Sequence, residues 1–150
     1  MSPQTIKILI TAVLLLHGIA HGRAFVTLVM VAAGRSSNEW VPMRSWLLPS
    51  LSERAAAGIA GIFWLLSTIG FVAAALSFWG AILPDAPWRQ LAIASAIIST
   101  VGTALFSGIW PGAPNQRLSS LDTAISLAVN LGVIIALVWM QWPPVEMFGK

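Results

Sequence analysis

Four long apolar segments constrain the fold of this 150-residue chain more than any other feature of its sequence. A helix needs about 20 mostly apolar residues to cross the hydrocarbon core of a bilayer, and each segment reaches that length. They run from about 5 to 33, 55 to 83, 88 to 109 and 118 to 142. The segments lack the period-two alternation of strands, which excludes a membrane β-barrel. We therefore expect one all-α domain over residues 1–150, an integral membrane protein built as an antiparallel four-helix bundle.

The composition agrees with a membrane protein and excludes several other classes. Only 9% of the residues are charged and 57% are hydrophobic, whereas a soluble domain carries about a quarter charged residues. The 8 basic and 5 acidic residues are scattered, so no basic cluster is available for a phosphate backbone and we expect no nucleic-acid partner. The chain has no cysteine, which excludes disulfides, iron–sulfur sites and thiol nucleophiles.

The longest connection, residues 34–54, is unusually rich in apolar side chains. It contains Trp40, Trp46, Leu47 and Leu48 among prolines and serines. Such a segment lies either at the level of the lipid headgroups or buried at a helix junction. The preference of Trp for the membrane interface favours the first of these.

The first helix carries two imidazoles one turn apart, His17 and His21, beside a GxxxG row formed by Gly18 and Gly22. The glycine row is typical of close helix contacts, but packing does not require two histidines, and ionisable groups inside a membrane are candidates for function. The rings could be neutral and hydrogen-bonded across the bundle, or could exchange protons near neutral pH. A metal site would need a third ligand that the sequence does not place nearby, so we predict neither a metal nor another cofactor.

The helical rise of about 1.5 Å per residue places the polar side chains by depth. His17, His21 and Asn130 fall near the middle of the membrane, whereas Arg23 and Asp122 lie toward the side of the long connection. Opposite charges in one bundle cost less when paired, so we expect an Arg23–Asp122 ion pair. These residues predict a polar pocket that opens toward that side and is lined by the first, third and fourth helices.

Other side chains are candidates for lining the same pocket. The third helix has a Ser/Thr row that includes Ser99 and Thr103. In the fourth helix, Ser126 lies on the same helical row as Asp122 and Asn130. Trp64 lies well inside the second segment, where it could form a pocket wall. The alternative for each of these residues is ordinary helix packing.

The run Leu14-Leu15-Leu16-His17-Gly18-Ile19-Ala20-His21 resembles the first helix of many small bacterial four-span membrane proteins of undetermined function. In those proteins a Trp, a Ser, a second Trp, an Asp and an Asn follow in the later helices. The residues that match here are Trp64, Ser99, Trp110, Asp122 and Asn130. The first helix is also similar to that of DoxX-like membrane proteins, in which a lysine stands where this chain has His21. Gly22-Arg23 departs from the first group, where apolar residues are usual.

The resemblance implies the four-span fold, the matched candidate positions and a bacterial inner (plasma) membrane location, but no reaction. Three function classes follow from the residues. The chain could bind or carry a small lipophilic molecule, such as a quinone, an isoprenoid or a lipid, beside His17, His21 and Asn130. It could be an enzyme on such a molecule, with the histidines as acid or base and Arg23, beside Asp122, as electrostatic stabiliser. It could also be a non-catalytic subunit of a homo-oligomer or a larger membrane complex. The sequence favours the first two classes.

Overall fold

The computed structural model describes residues 1–35, 40–81, 88–107 and 109–148, and within them all regular structure is helical. The four long helices are α1 (Pro3–Ala32), α2 (Glu53–Phe78), α3 (Trp88–Leu105) and α4 (Gln116–Ile134). A π-helical turn, Ile135–Trp139, extends α4, and a short 3-10 turn, Val145–Phe148, follows it. The expected all-helical architecture is therefore confirmed for the described residues. The predicted end of the second segment, at residue 83, lies outside them.

Local sequence signals fix where the helices begin and end. Ser2, Ser52 and Asn115 precede α1, α2 and α4, and each accepts a hydrogen bond from the backbone N–H three residues later, at 3.0 to 3.3 Å. These caps satisfy N–H groups that have no partner within the helix. Gly34 and Gly80 follow α1 and α2 with φ of +78° and +69°, a backbone conformation that glycine adopts without strain.

Consecutive helices pack antiparallel, as the order of their contacts requires. Trp79 Nε1 donates to Thr11 Oγ1 at 2.6 Å near one end of the α1–α2 contact, whereas Gly22 faces Thr68 further along it. The same reversed order holds between α2 and α3 and between α3 and α4. The GxxxG row therefore lies in the contact of α1 with α2, as its spacing predicts.

The fourth side of the bundle is more open than the other three. The chain packs α1 along α2, α2 along α3 and α3 along α4, but α1 and α4 approach each other much less closely. Two clefts lie between residues 9–23 of α1 and residues 122–137 of α4 and its π-helical turn. We call this opening the α1–α4 seam.

Three of the four helices are long and apolar enough to cross a membrane, by length and composition. They are α1, α2 and α4 with its π-helical turn, at mean hydropathies of 1.6, 2.2 and 2.1. The described part of α3 is 18 residues long and is not among them. Arg89 and Gln90 in its first turn and its Ser/Thr row lower its hydropathy, so three of the four expected spans meet this requirement.

The bundle exposes apolar side chains and buries polar ones. On the outward face of α1, Leu16 is 67% exposed and Ile19 is 62% exposed. His21, Ser99 and Asn130 are 1%, 3% and 0% exposed. The buried polar side chains lie between two apolar clusters, one toward the long connection and one toward the chain termini.

The described part of the long connection, residues 40–52, packs against the end of α3. Ser45 Oγ donates to the carbonyl of Leu105 at 2.9 Å, and Trp46 Nε1 donates to the carbonyl of Ala104 at 2.6 Å. Ser45 is buried, whereas the tip at residues 46–48 is exposed. The connection thus combines a buried helix junction with an exposed apolar tip.

Candidate functional site

Four buried side chains from three helices form a closed ring of polar contacts. His17 Nε2 lies 2.8 Å from Asn130 Oδ1, and Asn130 Nδ2 donates to Ser99 Oγ at 2.7 Å. Ser99 Oγ lies 2.8 Å from His21 Nε2, which in turn is 3.3 Å from His17 Nε2. We call this arrangement the His–Asn–Ser ring. It brings together the two histidines, the serine and the asparagine that the sequence singled out.

The ring determines which nitrogen of each neutral imidazole carries the proton. The amide oxygen of Asn130 can only accept, so His17 donates from Nε2–H. Because that N–H also faces His21 Nε2, the His21 nitrogen must present its lone pair, and Ser99 Oγ–H donates to it. The His17 Nε2–H thus faces two acceptors, Asn130 Oδ1 and His21 Nε2, and the His21 nitrogen faces two donors, His17 and Ser99. His17 keeps a basic Nδ1, whereas His21 carries its proton on Nδ1.

Local packing holds the two imidazoles in place. A Cβ at Gly18 would lie 3.1 Å from Val72 and 3.2 Å from Phe71, so the glycine lets α2 approach beside the histidines. The Phe71 ring stacks on His21 with centroids 6.0 Å apart and meets His17 edge-on at 4.8 Å. Phe71 was not among the candidates from the sequence. Its position opposite the GxxxG row depends on how α2 packs against α1, so spacing along the chain did not indicate it.

Trp64 and Trp110 complete an aromatic enclosure around His21. Their ring centroids lie 6.1 Å and 5.6 Å from that of His21, and 6.0 Å from each other. Trp64 is 2% exposed, so it packs beside the His–Asn–Ser ring and does not line an open pocket. Trp110 also lines the α1–α4 seam and therefore borders both regions.

Several buried polar atoms near the ring have no hydrogen-bond partner among the described residues. They are His21 Nδ1, Trp64 Nε1, Thr103 Oγ1 and Ser126 Oγ. Thr103 lies one turn beyond Ser99 on α3, but its hydroxyl makes no hydrogen bond to the ring. Ser126, in contrast, lines a cleft of the seam.

The α1–α4 seam contains a polar cleft that opens beside the ring. This cleft, about 190 Å³ in volume, is lined by His17, Ala20, Arg23, Trp110, Asp122, Ile125 and Ser126. His17 is the only ring member in that lining, and it is 8% exposed. The cleft lies between the first and fourth helices, whereas the pocket expected from the sequence was to be lined by the third helix as well. The third helix contributes Ser99 to the ring and does not line the cleft.

Arg23 and Asp122 face the same cleft without being paired to each other. Arg23 is exposed and Asp122 is half-buried. In the described part of the chain no direct ion pair joins them, so the ion pair expected from their depths is not formed. Depth along the bundle does not fix the direction in which each side chain leaves its helix.

A second cleft continues the seam toward the chain termini and is apolar. It has a volume of about 340 Å³ and is lined by Leu9, Ile10, Val13, Leu14, Trp88, Val129, Gly132, Val133, Ala136, Leu137, Trp142 and Pro143. None of these residues was a candidate from the sequence. The small residues Gly132 and Ala136, four apart along α4 and its π-helical turn, are the sequence signal nearest to this cleft. In the structure a Cβ at Gly132 would meet nothing within 4 Å.

The arrangement can bind hydrogen-bonding groups and accept a proton. His17 Nδ1 makes no hydrogen bond within the described residues, and its ring borders the polar cleft. The hydrogen bond to Asn130 holds the His17 imidazole in one orientation, as required of a positioned acid or base. Among the described residues no three side chains of the types that bind metals lie together.

No protein-family model matches the chain, and neither the curated proteins nor the solved structures include a detectable relative.

Proposed function

We propose that this chain is a membrane-embedded helical bundle that binds a small lipophilic molecule in the α1–α4 seam. The observation that carries the proposal is the placement of a polar cleft and an apolar cleft end to end between the same two helices. A molecule with one polar end and one apolar end matches that order. His17 lies where the two clefts meet and is the ring residue that would touch the ligand.

The distribution of polarity supports insertion into a bilayer. In water, apolar side chains collapse inward, so a soluble bundle would not expose Leu16 and Ile19 while burying His21, Ser99 and Asn130. In lipid the outer surface is apolar, and interhelical polar contacts bind the helices together. Three helices have the length and hydropathy for this environment.

The His–Asn–Ser ring supports a role in binding rather than in packing alone. A purely structural ring would satisfy both imidazoles, but here neither Nδ1 has a hydrogen-bond partner among the described residues, and the His17 side chain borders the polar cleft. Arg23, Asp122 and Ser126 surround the same space. These groups can orient a polar end, and His17 can exchange a proton with it if the protein also acts on its ligand.

Single-cysteine variants test the membrane proposal cleanly, because the natural chain has no cysteine. Ile19→Cys and Ile62→Cys place thiols on outward apolar faces, and Ser50→Cys places one in the exposed long connection. In intact vesicles or cells, a membrane-impermeant maleimide should label Ser50→Cys from one side and leave the other two unlabelled until detergent is added. Equal labelling of all three without detergent would contradict insertion.

Two glycine substitutions test the binding proposal with a matched control. Gly132 borders the apolar cleft, and Gly58 borders a smaller cleft between α1 and α2; a Cβ at either position meets nothing within 4 Å. Gly132→Leu should fill the α1–α4 seam, whereas Gly58→Leu should fill the other side of the bundle.

The measurement is native mass spectrometry of the purified protein released from detergent. We expect a small-molecule adduct of constant mass on the natural chain and on Gly58→Leu, reduced at least about tenfold on Gly132→Leu, which corresponds to about 1.4 kcal/mol. An adduct retained equally by Gly132→Leu, or absent from all three proteins, would contradict binding in the seam. Purification only together with other protein chains would favour the accessory-subunit alternative instead.

A further inference from the structure

We propose that the ligand of the α1–α4 seam is a single-chain amphiphile whose head carries both an anionic group and a primary ammonium group. This inference rests on the proposed function and names the chemical class of the ligand. The charges of the polar cleft select the head, and the shape and length of the seam select the tail.

The two charged residues of the polar cleft require opposite charges from a ligand. Arg23 and Asp122 line one cleft, on α1 and α4, without pairing to each other. Charges partly withdrawn from water are stabilised when each meets an opposite charge. An anionic head would compensate Arg23 but be repelled by Asp122, and a cationic head would do the reverse. A head with both charges compensates both residues.

The hydrogen-bonding groups of the cleft indicate which kind of cation is preferred. The Asp122 carboxylate and the unprotonated Nδ1 of His17 are the acceptors among the lining residues. The Arg23 guanidinium and the unpartnered hydroxyl of Ser126, which is 2% exposed, are the donors. A primary ammonium has three N–H donors for the two acceptors, whereas a quaternary ammonium has none. A phosphate or carboxylate oxygen can accept from the two donors.

The shape of the seam indicates one hydrocarbon tail. The apolar cleft begins on the next turn of each helix, at Leu14 on α1 and Val129 on α4, and continues to Leu9. From Val129 to Leu137 the helical rise gives the apolar cleft a length of roughly 12 Å, less than half of the roughly 30 Å hydrocarbon core of a bilayer. This length accommodates most of one extended chain of the kind that forms one leaflet. The apolar cleft runs between α1 and α4, with Trp88, Trp142 and Pro143 at its end near the chain termini, so it offers one apolar path.

The experiment uses five defined probes with the same 16-carbon tail, which carries a photoactivatable diazirine. Their heads are phosphoethanolamine, phosphocholine, phosphate alone, a primary amine alone and uncharged glycerol. Each is added to the purified full chain in detergent micelles, irradiated, and mapped by peptide mass spectrometry to the residues that line the apolar cleft. We expect the phosphoethanolamine probe to label the seam at least about fivefold more than each of the other four at equal concentration.

Charge-removing variants make the assignment specific. Asp122→Asn should abolish the preference for phosphoethanolamine over phosphate alone, and Arg23→Gln should abolish its preference over the amine alone. Arg117→Gln, an exposed position at the start of α4 outside the seam, is the control and should leave the preferences unchanged. All three positions are exposed or half-buried, and a circular dichroism spectrum checks that each variant stays folded.

The outcomes separate the two proposals. If no probe labels the seam, both binding in the seam and this head chemistry fail. If the phosphocholine, glycerol or singly charged probes label the seam as well as the phosphoethanolamine probe, the seam binds amphiphiles but the head assignment is wrong. If the preference persists in Asp122→Asn and Arg23→Gln, the assignment to these two residues is wrong.

Discussion

His17 and His21 stand one helical turn apart with their Nε2 atoms 3.3 Å from each other, yet only His17 borders the polar cleft. His21 is 1% exposed and receives the hydroxyl proton of Ser99. The two imidazoles therefore differ in position. His21 is the inner one and bonds only within the His–Asn–Ser ring, whereas His17 is the outer one and can meet a ligand. The four predictions below follow from this division and from the packing that supports it.

Breaking the His–Asn–Ser ring at Asn130 should destabilise the bundle. Asn130→Ala leaves the Nε2–H of His17 and an oxygen lone pair of Ser99 without a partner, and a buried unsatisfied group costs about 1–3 kcal/mol. Ser126→Ala is the matched control, because Ser126 lies one turn away on the same helix, is buried, and has no partner to lose. The free energy of unfolding in mixed micelles is the measurement. Equal effects of the two substitutions would contradict the ring.

The contact between α1 and α2 should be sensitive to a single methyl group at Gly18. Gly18→Ala places a Cβ 3.1 Å from Val72 and 3.2 Å from Phe71, and overpacking of this kind costs about 1–3 kcal/mol. Gly58→Ala, also on this pair of helices, meets open space and should gain up to about 1 kcal/mol from helix propensity. Unfolding midpoints in a denaturing detergent should move in opposite directions for the two variants. A stabilised Gly18→Ala protein would show that the helices are less close than described.

The long connection should loosen when its buried anchor is removed. Ser45 Oγ donates to the carbonyl of Leu105 and accepts from the N–H of Leu48, and each such bond contributes about 0.5–1.5 kcal/mol. Ser45→Ala should therefore increase hydrogen exchange of residues 40–52. Ser77→Ala, at a buried serine whose hydroxyl has no partner, should leave that exchange unchanged. Unaltered exchange in Ser45→Ala would mean that other contacts hold the connection.

A double-mutant cycle should separate a true contact from mere proximity. Because Arg23 and Asp122 share a cleft without an ion pair, the stability changes of Arg23→Gln and Asp122→Asn should add to within about 0.5 kcal/mol. The cycle between His17 and Asn130, whose side chains bond at 2.8 Å, should instead give a coupling of about 0.5–3 kcal/mol. A large coupling in the first cycle would show that Arg23 and Asp122 do form an ion pair.

The number of helices, their approximate limits and the inward orientation of the polar rows could be predicted from the sequence. These features depend on local signals. A long apolar run, a cap such as Ser52 or a glycine such as Gly34 influences only the residues near it, so its effect can be inferred from sequence. The common depth of His17 and Asn130 also followed from sequence, because helical rise is constant and the helices alternate in direction.

Other features depended on how the helices are arranged around the bundle axis. Which pair of helices stays apart, and whether Arg23 reaches Asp122, depends on helix rotation and on side-chain directions that spacing along the chain does not contain. The same is true of Phe71 and Gly132. Phe71 contacts the histidines because α2 packs closely against α1, and Gly132 lines a cleft because α4 lies further from α1. Sequence alone thus determined the secondary structure and the buried polar composition of this protein, since these depend on local periodicity and transfer energies. Tertiary packing alone decided that the polar ring is closed, that one histidine borders a cleft, and that an apolar cleft lies next along the same two helices.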